Sequence, residues 1–196
     1  MITPPGKPFG LVLAGGRSAR MGHDKALLTY SDGRPQAVVA YELLQEFCRR
    51  VYLSVSTRRE TLSEWPQLVD RYEEIGPMAG ILTALDKHRK AAWLVVACDL
   101  PFLNRETLRQ LLAARDPQRI ATAFRSAHDG LPEPLCAIYE PTARTRLLEF
   151  VTQGLHCPRR ALINSQVHLV ELADYRALDN VNDPLEYERA ATTLKS

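Results

Sequence analysis

Short apolar runs alternate with segments of helical periodicity along nearly the whole chain, and no other feature restricts its fold so strongly. Phe9 to Ala14, Val51 to Ser56, Gln67 to Asp70, Trp93 to Ala97, Ile120 to Phe124, Leu135 to Tyr139 and Val167 to Leu172 have the length and apolar character of strands. Between them lie helical patterns. Pro35 to Arg50 carries Val39, Leu43 and Phe47 four apart. A Gly76–Gly80 turn feeds a short helix through Ile81, Leu82 and Leu85. Arg105 to Arg115 follows Asn104 as its N-cap, and Thr142 to Gln153 follows later. A short helix is expected around Ala161 to Ile163, and a last one opens at Asp183-Pro184-Leu185-Glu186, where Asp, Pro and Glu stand in a capping-box-like order. Such alternation predicts a layered α/β fold on a mostly parallel sheet. Ligands of such sheets bind beyond the carboxyl ends of the strands. Gly15, Asp70 and Asp99 each follow a predicted strand, so one sheet edge would gather them despite their separation in sequence.

At 196 residues the chain is expected to form one domain, residues 1–196, with a substantial core. Its 45% hydrophobic and 24% charged content is that of an ordinary globular protein. A formal net charge of +2 and the lack of a long basic run point away from nucleic acid and membrane surfaces. No apolar stretch approaches the roughly 20 residues of a membrane span, and Met1 to Pro8 has no hydrophobic region of the signal-peptide kind. Cys48, Cys98, Cys136 and Cys157 are scattered without a C-x-x-C pair. A reduced, cytoplasmic chain with all four as small buried hydrophobes is the simplest expectation.

The chemistry concentrates after the first strand. Gly15-Gly16-Arg17-Ser18-Ala19-Arg20-Met21-Gly22-His23-Asp24-Lys25 combines three glycines, two arginines, a serine and a lysine. Polyphosphate needs this combination, because bare amides can approach closely and cations offset the charge. Adjacent Gly15 and Gly16 do not fit G-x-G-x-x-G, and His23 and Asp24 separate Gly22 from Lys25, so this is not a Walker loop either. Asp99 ends the most hydrophobic strand just before Pro101. It suits Mg²⁺, which takes one or two carboxylates plus substrate phosphates, or it caps the following turn. Asp70 either meets a ribose or base or is a surface carboxylate. Asn182 either helps cap the last helix, or one of Asn180 and Asn182 reaches the metal or phosphates. Arg159-Arg160 either holds an anionic co-substrate or begins a solvated helix. Residues 125–134 are expected to form a loop over the site, and the five histidines have no ligand or nucleophile spacing.

With these pieces in place, the chain resembles the molybdenum cofactor guanylyltransferase (MobA) family of nucleotidyltransferases. The resemblance rests on four motifs in order: Leu13 to Lys25, Gly76 to Ile81, Cys98 to Pro101 and Asn180 to Pro184. It implies a Rossmann-like three-layer α/β/α fold of the nucleotide-diphospho-sugar transferase type. It also implies Mg²⁺-dependent transfer of GMP from GTP to the terminal phosphate of molybdenum-bound molybdopterin, with release of pyrophosphate. By the same resemblance Leu13, Ala14, Gly15, Gly16 and Ser18 would surround the nucleotide, Arg20 and Lys25 would contact its phosphates, and Asp70 the nucleoside. Gly80 would lie beside the nucleotide, Asp99 would hold Mg²⁺, and Asn180 and Asn182 would lie near the metal and the pterin side, to which the basic pair Arg159-Arg160 is also assigned as the holder of the anionic co-substrate. Other proteins of molybdenum cofactor biosynthesis and acceptor molybdoenzymes are the implied partners. Relatives that use CTP tend to read Leu-Ala-Ala-Gly, so Gly15-Gly16 favours GTP. Ser54 stands near where the family often has asparagine, giving one hydroxyl in place of an amide's two groups. The alternatives are a related nucleotidyltransferase using CTP or a sugar 1-phosphate, and a non-catalytic nucleotide-binding regulator.

Overall fold

The computed structural model describes residues 6–15, 25–30 and 33–195, the side chains of Lys25 and Lys195 excepted. Its strands are β1 (Phe9–Leu13), β2 (Val51–Val55), β3 (Gln67–Val69), β4 (Trp93–Ala97), β5 (Ala121–Arg125), β6 (Pro132–Tyr139) and β7 (Val167–Val170). They form one sheet in the order β3-β2-β1-β4-β6-β5-β7. Strands β1 to β4 pair in parallel, and β7 pairs in parallel with β5. Strand β6 alone runs against its neighbours, β4 and β5.

Strand alternation sorts the apolar side chains onto two faces. Val12, Leu53, Leu94, Val96 and Ile138 pack on one side with α1 (Gln36–Gln45) and α3 (Arg105–Ala113). Leu11, Tyr52, Trp93, Val95 and Tyr139 pack on the other with α2 (Pro77–Lys87), α4 (Ala143–Thr152) and α5 (Pro158–Ile163). This is a three-layer α/β/α sandwich on a mostly parallel sheet. Helix α6 (Pro184–Lys195) joins a small separate cluster in which Tyr30, Val181 and Ala190 are buried.

Four local expectations change. The helix expected from Pro35 to Arg50 stops at Gln45, leaving Arg49 and Arg50 in the turn before β2. Helix α2 begins at once after Gly76, whose φ of 58° sets the entry, so Gly80 lies inside the helix. Strand β6 reaches back to Pro132, which shortens the expected 125–134 loop to 126–131. Cys48, Cys98 and Cys136 are buried, whereas Cys157 is exposed, against the expectation that all four would be buried. Asn104 caps α3 by accepting from the Thr107 amide at 3.0 Å. At α6 Asp183 accepts from the Glu186 amide at 2.9 Å, and Glu186 accepts from the Asn182 amide at 2.7 Å. Among the described residues, no helix is long and apolar enough to cross a membrane.

Candidate active site

The carboxyl ends of β1, β2, β3 and β4 open into a cleft of about 580 Å³. Gly15 after β1, Ser54 and Ser56 at the end of β2, Asp70 after β3 and Asp99 after β4 all line it. Leu13, Ala14 and Gly80 line it as well, and so does Ala26, the second residue of a short 3₁₀ turn (Lys25–Leu27). Gly15 and Ala26, at the start of the glycine-rich segment and just after its end, therefore both border the cleft. Gly16, Ser18, Arg20 and the side chain of Lys25 lie outside the described residues.

Close approach of α2 to β2 fixes the floor. A Cβ at Gly80 would overlap Ser54 Oγ and stand 2.7 Å from Leu13 Cδ2. With that space open, Ser54 Oγ donates to Asp70 Oδ1 at 2.7 Å. A Cβ at Gly15 would stand 3.2 Å from the Ser56 amide nitrogen and 3.6 Å from Asp70 Oδ2, so main chain, hydroxyl and carboxylate converge there. Burial pushes the Asp70 carboxyl above its ordinary range, and the Ser54 hydrogen bond only partly opposes this. Tyr72, Glu73 and Glu74 form one wall, with Glu74 in the left-handed region at φ 58°. Among the described residues the charged lining is wholly acidic: Asp70, Glu73, Glu74 and Asp99.

Asp99 lies at the junction with a second cleft, of about 290 Å³, lined by Ser126, His128, Glu133, Arg159 and Asn180. The Asp99 carbonyl accepts from the Val181 amide at 3.0 Å, which pins Asn180 and Asn182 on either side of that bond. Tyr30 stands close by; its phenol is pushed up by burial first, then by Tyr187 and Asp99. Arg159 donates to Asp129 at 2.8 Å and to Glu133 at 2.7 Å, so its guanidinium is held at the rim. Arg160 is exposed and borders neither cleft.

Several lining residues carry no signal in the sequence. Tyr72, Glu73 and Glu74 sit in an irregular segment with no spacing motif. His128 carries none because its significance lies in the fold: it reaches within 3.7 Å of Asp179 across the second cleft's rim. Tyr30, between the glycine-rich segment and α1 in sequence, lines neither cleft but packs with Val181 and with Ala190 and Tyr187 of α6.

Mg²⁺ fits this donor set. A hard carboxylate at the junction of two clefts, with the rest of the first cleft's described charge also acidic, leaves a polyphosphate bound there in need of cations. Among the described residues no three or more His, Cys, Asp or Glu side chains group to hold a metal ion.

A mostly parallel α/β/α sandwich with a cleft at the strand ends, bordered by Gly15 and Ala26 and with Asp99 at its junction with a second cleft, is the architecture of an α/β nucleotidyltransferase. The chain belongs to the MobA-like NTP transferase family, whose domain model matches residues 10–169. It is 39% identical over 182 residues to a molybdenum cofactor biosynthesis bifunctional protein of Synechocystis sp., covering 91% of this chain and 52% of that protein. The chain thus spans about half the length of that relative. It is 32% identical over 190 residues to a "Probable molybdenum cofactor guanylyltransferase" of Nostoc sp., covering 89% and 86% of the two chains. The crystal structure of molybdopterin-guanine dinucleotide biosynthesis protein A from Archaeoglobus fulgidus superposes with a TM-score of 0.78 at 25% identity, covering 95% of this chain and 98% of that one.

Proposed function

We propose that this protein transfers GMP from GTP to the terminal phosphate of molybdenum-bound molybdopterin, releasing pyrophosphate, with residues 1–196 acting as one nucleotidyltransferase domain. The observation that carries this reading is Asp99 at the shared boundary of two clefts. On this reading the first cleft takes the nucleotide and the second, adjoining it at Asp99, takes the acceptor. The names of the relatives supply the identity of the two substrates.

In the first cleft Leu13, Ala14 and Gly15 provide an apolar and main-chain surface for the nucleotide, and Ser54 and Asp70 a polar pair at its edge. Gly16, Ser18, Arg20 and Lys25 complete the phosphate side, Arg20 and Lys25 offsetting the triphosphate's charge. Asp99 would hold Mg²⁺, which supplies electrostatic stabilisation of the leaving pyrophosphate. Asn180 and Arg159, which line the second cleft, would border the acceptor, with Asn182 two residues along the chain from Asn180. A phosphate monoester is largely a dianion at neutral pH, so its oxygen attacks the α-phosphorus without a general base. The new P–O bond forms as the bond to the bridging oxygen breaks and pyrophosphate leaves. The protein's work is therefore alignment and charge compensation. The reading further places the protein in the cytoplasm, where other proteins of molybdenum cofactor biosynthesis deliver the acceptor and molybdoenzymes receive the product.

Asp99→Ala tests the assignment. Turnover is expected to fall by about 10²–10³ with the melting temperature little changed. Undiminished turnover at saturating Mg²⁺ would remove Asp99 from the chemistry.

A further inference from the structure

The opposite edge of the sheet, where β1, β2 and β4 begin, carries a separate concavity of about 640 Å³ lined by Arg49, Arg50, Arg89 and Lys90. Its back wall is a stack of rings. His88 lies on Phe9 with centroids 4.1 Å apart, and both approach Trp93. Arg49 stands over the Phe9 ring at 5.8 Å, and Arg50 and Lys87 each stand over Tyr52 at 5.2 Å. The rings thus hold three cations in defined positions. Among the described residues Arg49, Arg50, Lys87 and Lys90 have no carboxylate partner, and Arg89 only approaches Asp86 at 3.7 Å. The chain as a whole carries a formal net charge of only +2, so these five cations are a strong local concentration. Burial, together with Lys87, Arg49 and Arg50, pushes His88 below its ordinary range.

The surroundings narrow the ligand. Polyphosphate needs bare amides, yet here the Phe9, Gly10, Arg49 and Ala91 amides all donate within the fold. Single-stranded nucleic acid needs open ring faces, yet His88 and Arg49 both stack on Phe9 while cations stand over Tyr52. Long side-chain cations around an open concavity suit a row of carboxylates. We propose that this basic concavity docks a carboxylate-rich segment of a partner protein, engaged from the sheet edge opposite the two clefts so that both stay open.

The test is fluorescence anisotropy of a labelled ten-residue polyglutamate peptide with the full chain at low salt. Arg49→Gln, Arg50→Gln, Arg89→Gln and Lys90→Gln together are expected to weaken binding about tenfold or more. All four side chains are exposed. Should that variant fail to fold, Arg89→Gln with Lys90→Gln is expected to weaken binding about threefold. A control of equal charge, with Arg58, Arg109, Arg119 and Arg189 all changed to Gln, is expected to bind as the parent does. Absence of peptide binding would overturn the proposal, as would equal losses in the two quadruple variants. It would also be overturned if tripolyphosphate or a ten-residue oligouridylate bound this site more tightly than the peptide.

Discussion

Asp70 shows how a single side chain can be costly to the fold and useful to the site. Its carboxyl is pushed up by burial, with only the Ser54 hydroxyl to favour the charged form. A raised folded-state value means that the neutral form is preferred in the native protein. The contribution to stability is present below the unfolded value and is lost as pH rises through the folded one. At neutral pH the carboxylate therefore opposes folding. Asp70→Asn, which keeps an acceptor for Ser54 and removes the charge, is expected to raise the melting temperature at pH 7, with the gain over wild type shrinking toward pH 4. The same change is expected to raise the KM for GTP about tenfold, the scale of a lost charged hydrogen bond. Thermal melts across pH and steady-state kinetics check the two halves separately. Asp70 can be singled out from the sequence because it ends a short apolar run. Its pairing with Ser54 cannot, because that depends on β2 and β3 lying in register with Ser54 opposite Leu68.

At the scale of elements, the site depends on α2 lying close against β1 and β2. Gly80 makes this possible, and no side chain could replace it without moving Ser54 or Leu13. Gly80→Ala is expected to destabilise the protein by about 1–3 kcal/mol through overpacking, partly offset by alanine's better helix propensity. It is also expected to weaken nucleotide binding by displacing Ser54. Chemical denaturation and a GTP titration measure the two effects, and a variant with unchanged stability and affinity would contradict the close-packing account. Strand β6 is harder to foresee. Pro132 and Pro134 argue for a loop, since proline cannot donate to a ladder. The pairing with β4 ends at Cys136, however, so the proline-bearing stretch extends past β4 beside β5 alone, where Pro132 pairs with Arg125 beyond a register shift. Prolines are tolerated on such an unpaired side. That extension also brings Glu133, Pro134 and Leu135 to the second cleft.

For the molecule as a whole, the alternation of strands and helices makes the sheet and its layers legible in the amino-acid sequence. Gly15, Asp70 and Asp99 group on one edge for the same reason. The second cleft is less legible. Asn180, which lines it, lies some 80 residues beyond Asp99 in sequence, and the neighbouring Val181, bonded to the Asp99 carbonyl, is buried in the cluster with α6; Asn182 lines neither cleft. The residues alone leave these asparagines between a helix cap and a ligand contact, and the family resemblance favours the contact. Two adjoining clefts meeting at Asp99 are what a transfer between two substrates requires, and a simple nucleotide-binding regulator would have no use for the second. The most direct measurement is pyrophosphate release by the purified protein with Mg²⁺ and GTP, with and without molybdenum-bound molybdopterin, and with CTP in parallel. Release that requires the acceptor and proceeds with GTP in preference to CTP is expected. Strong release with CTP and none with GTP, or no release that depends on the acceptor, would contradict guanylyl transfer.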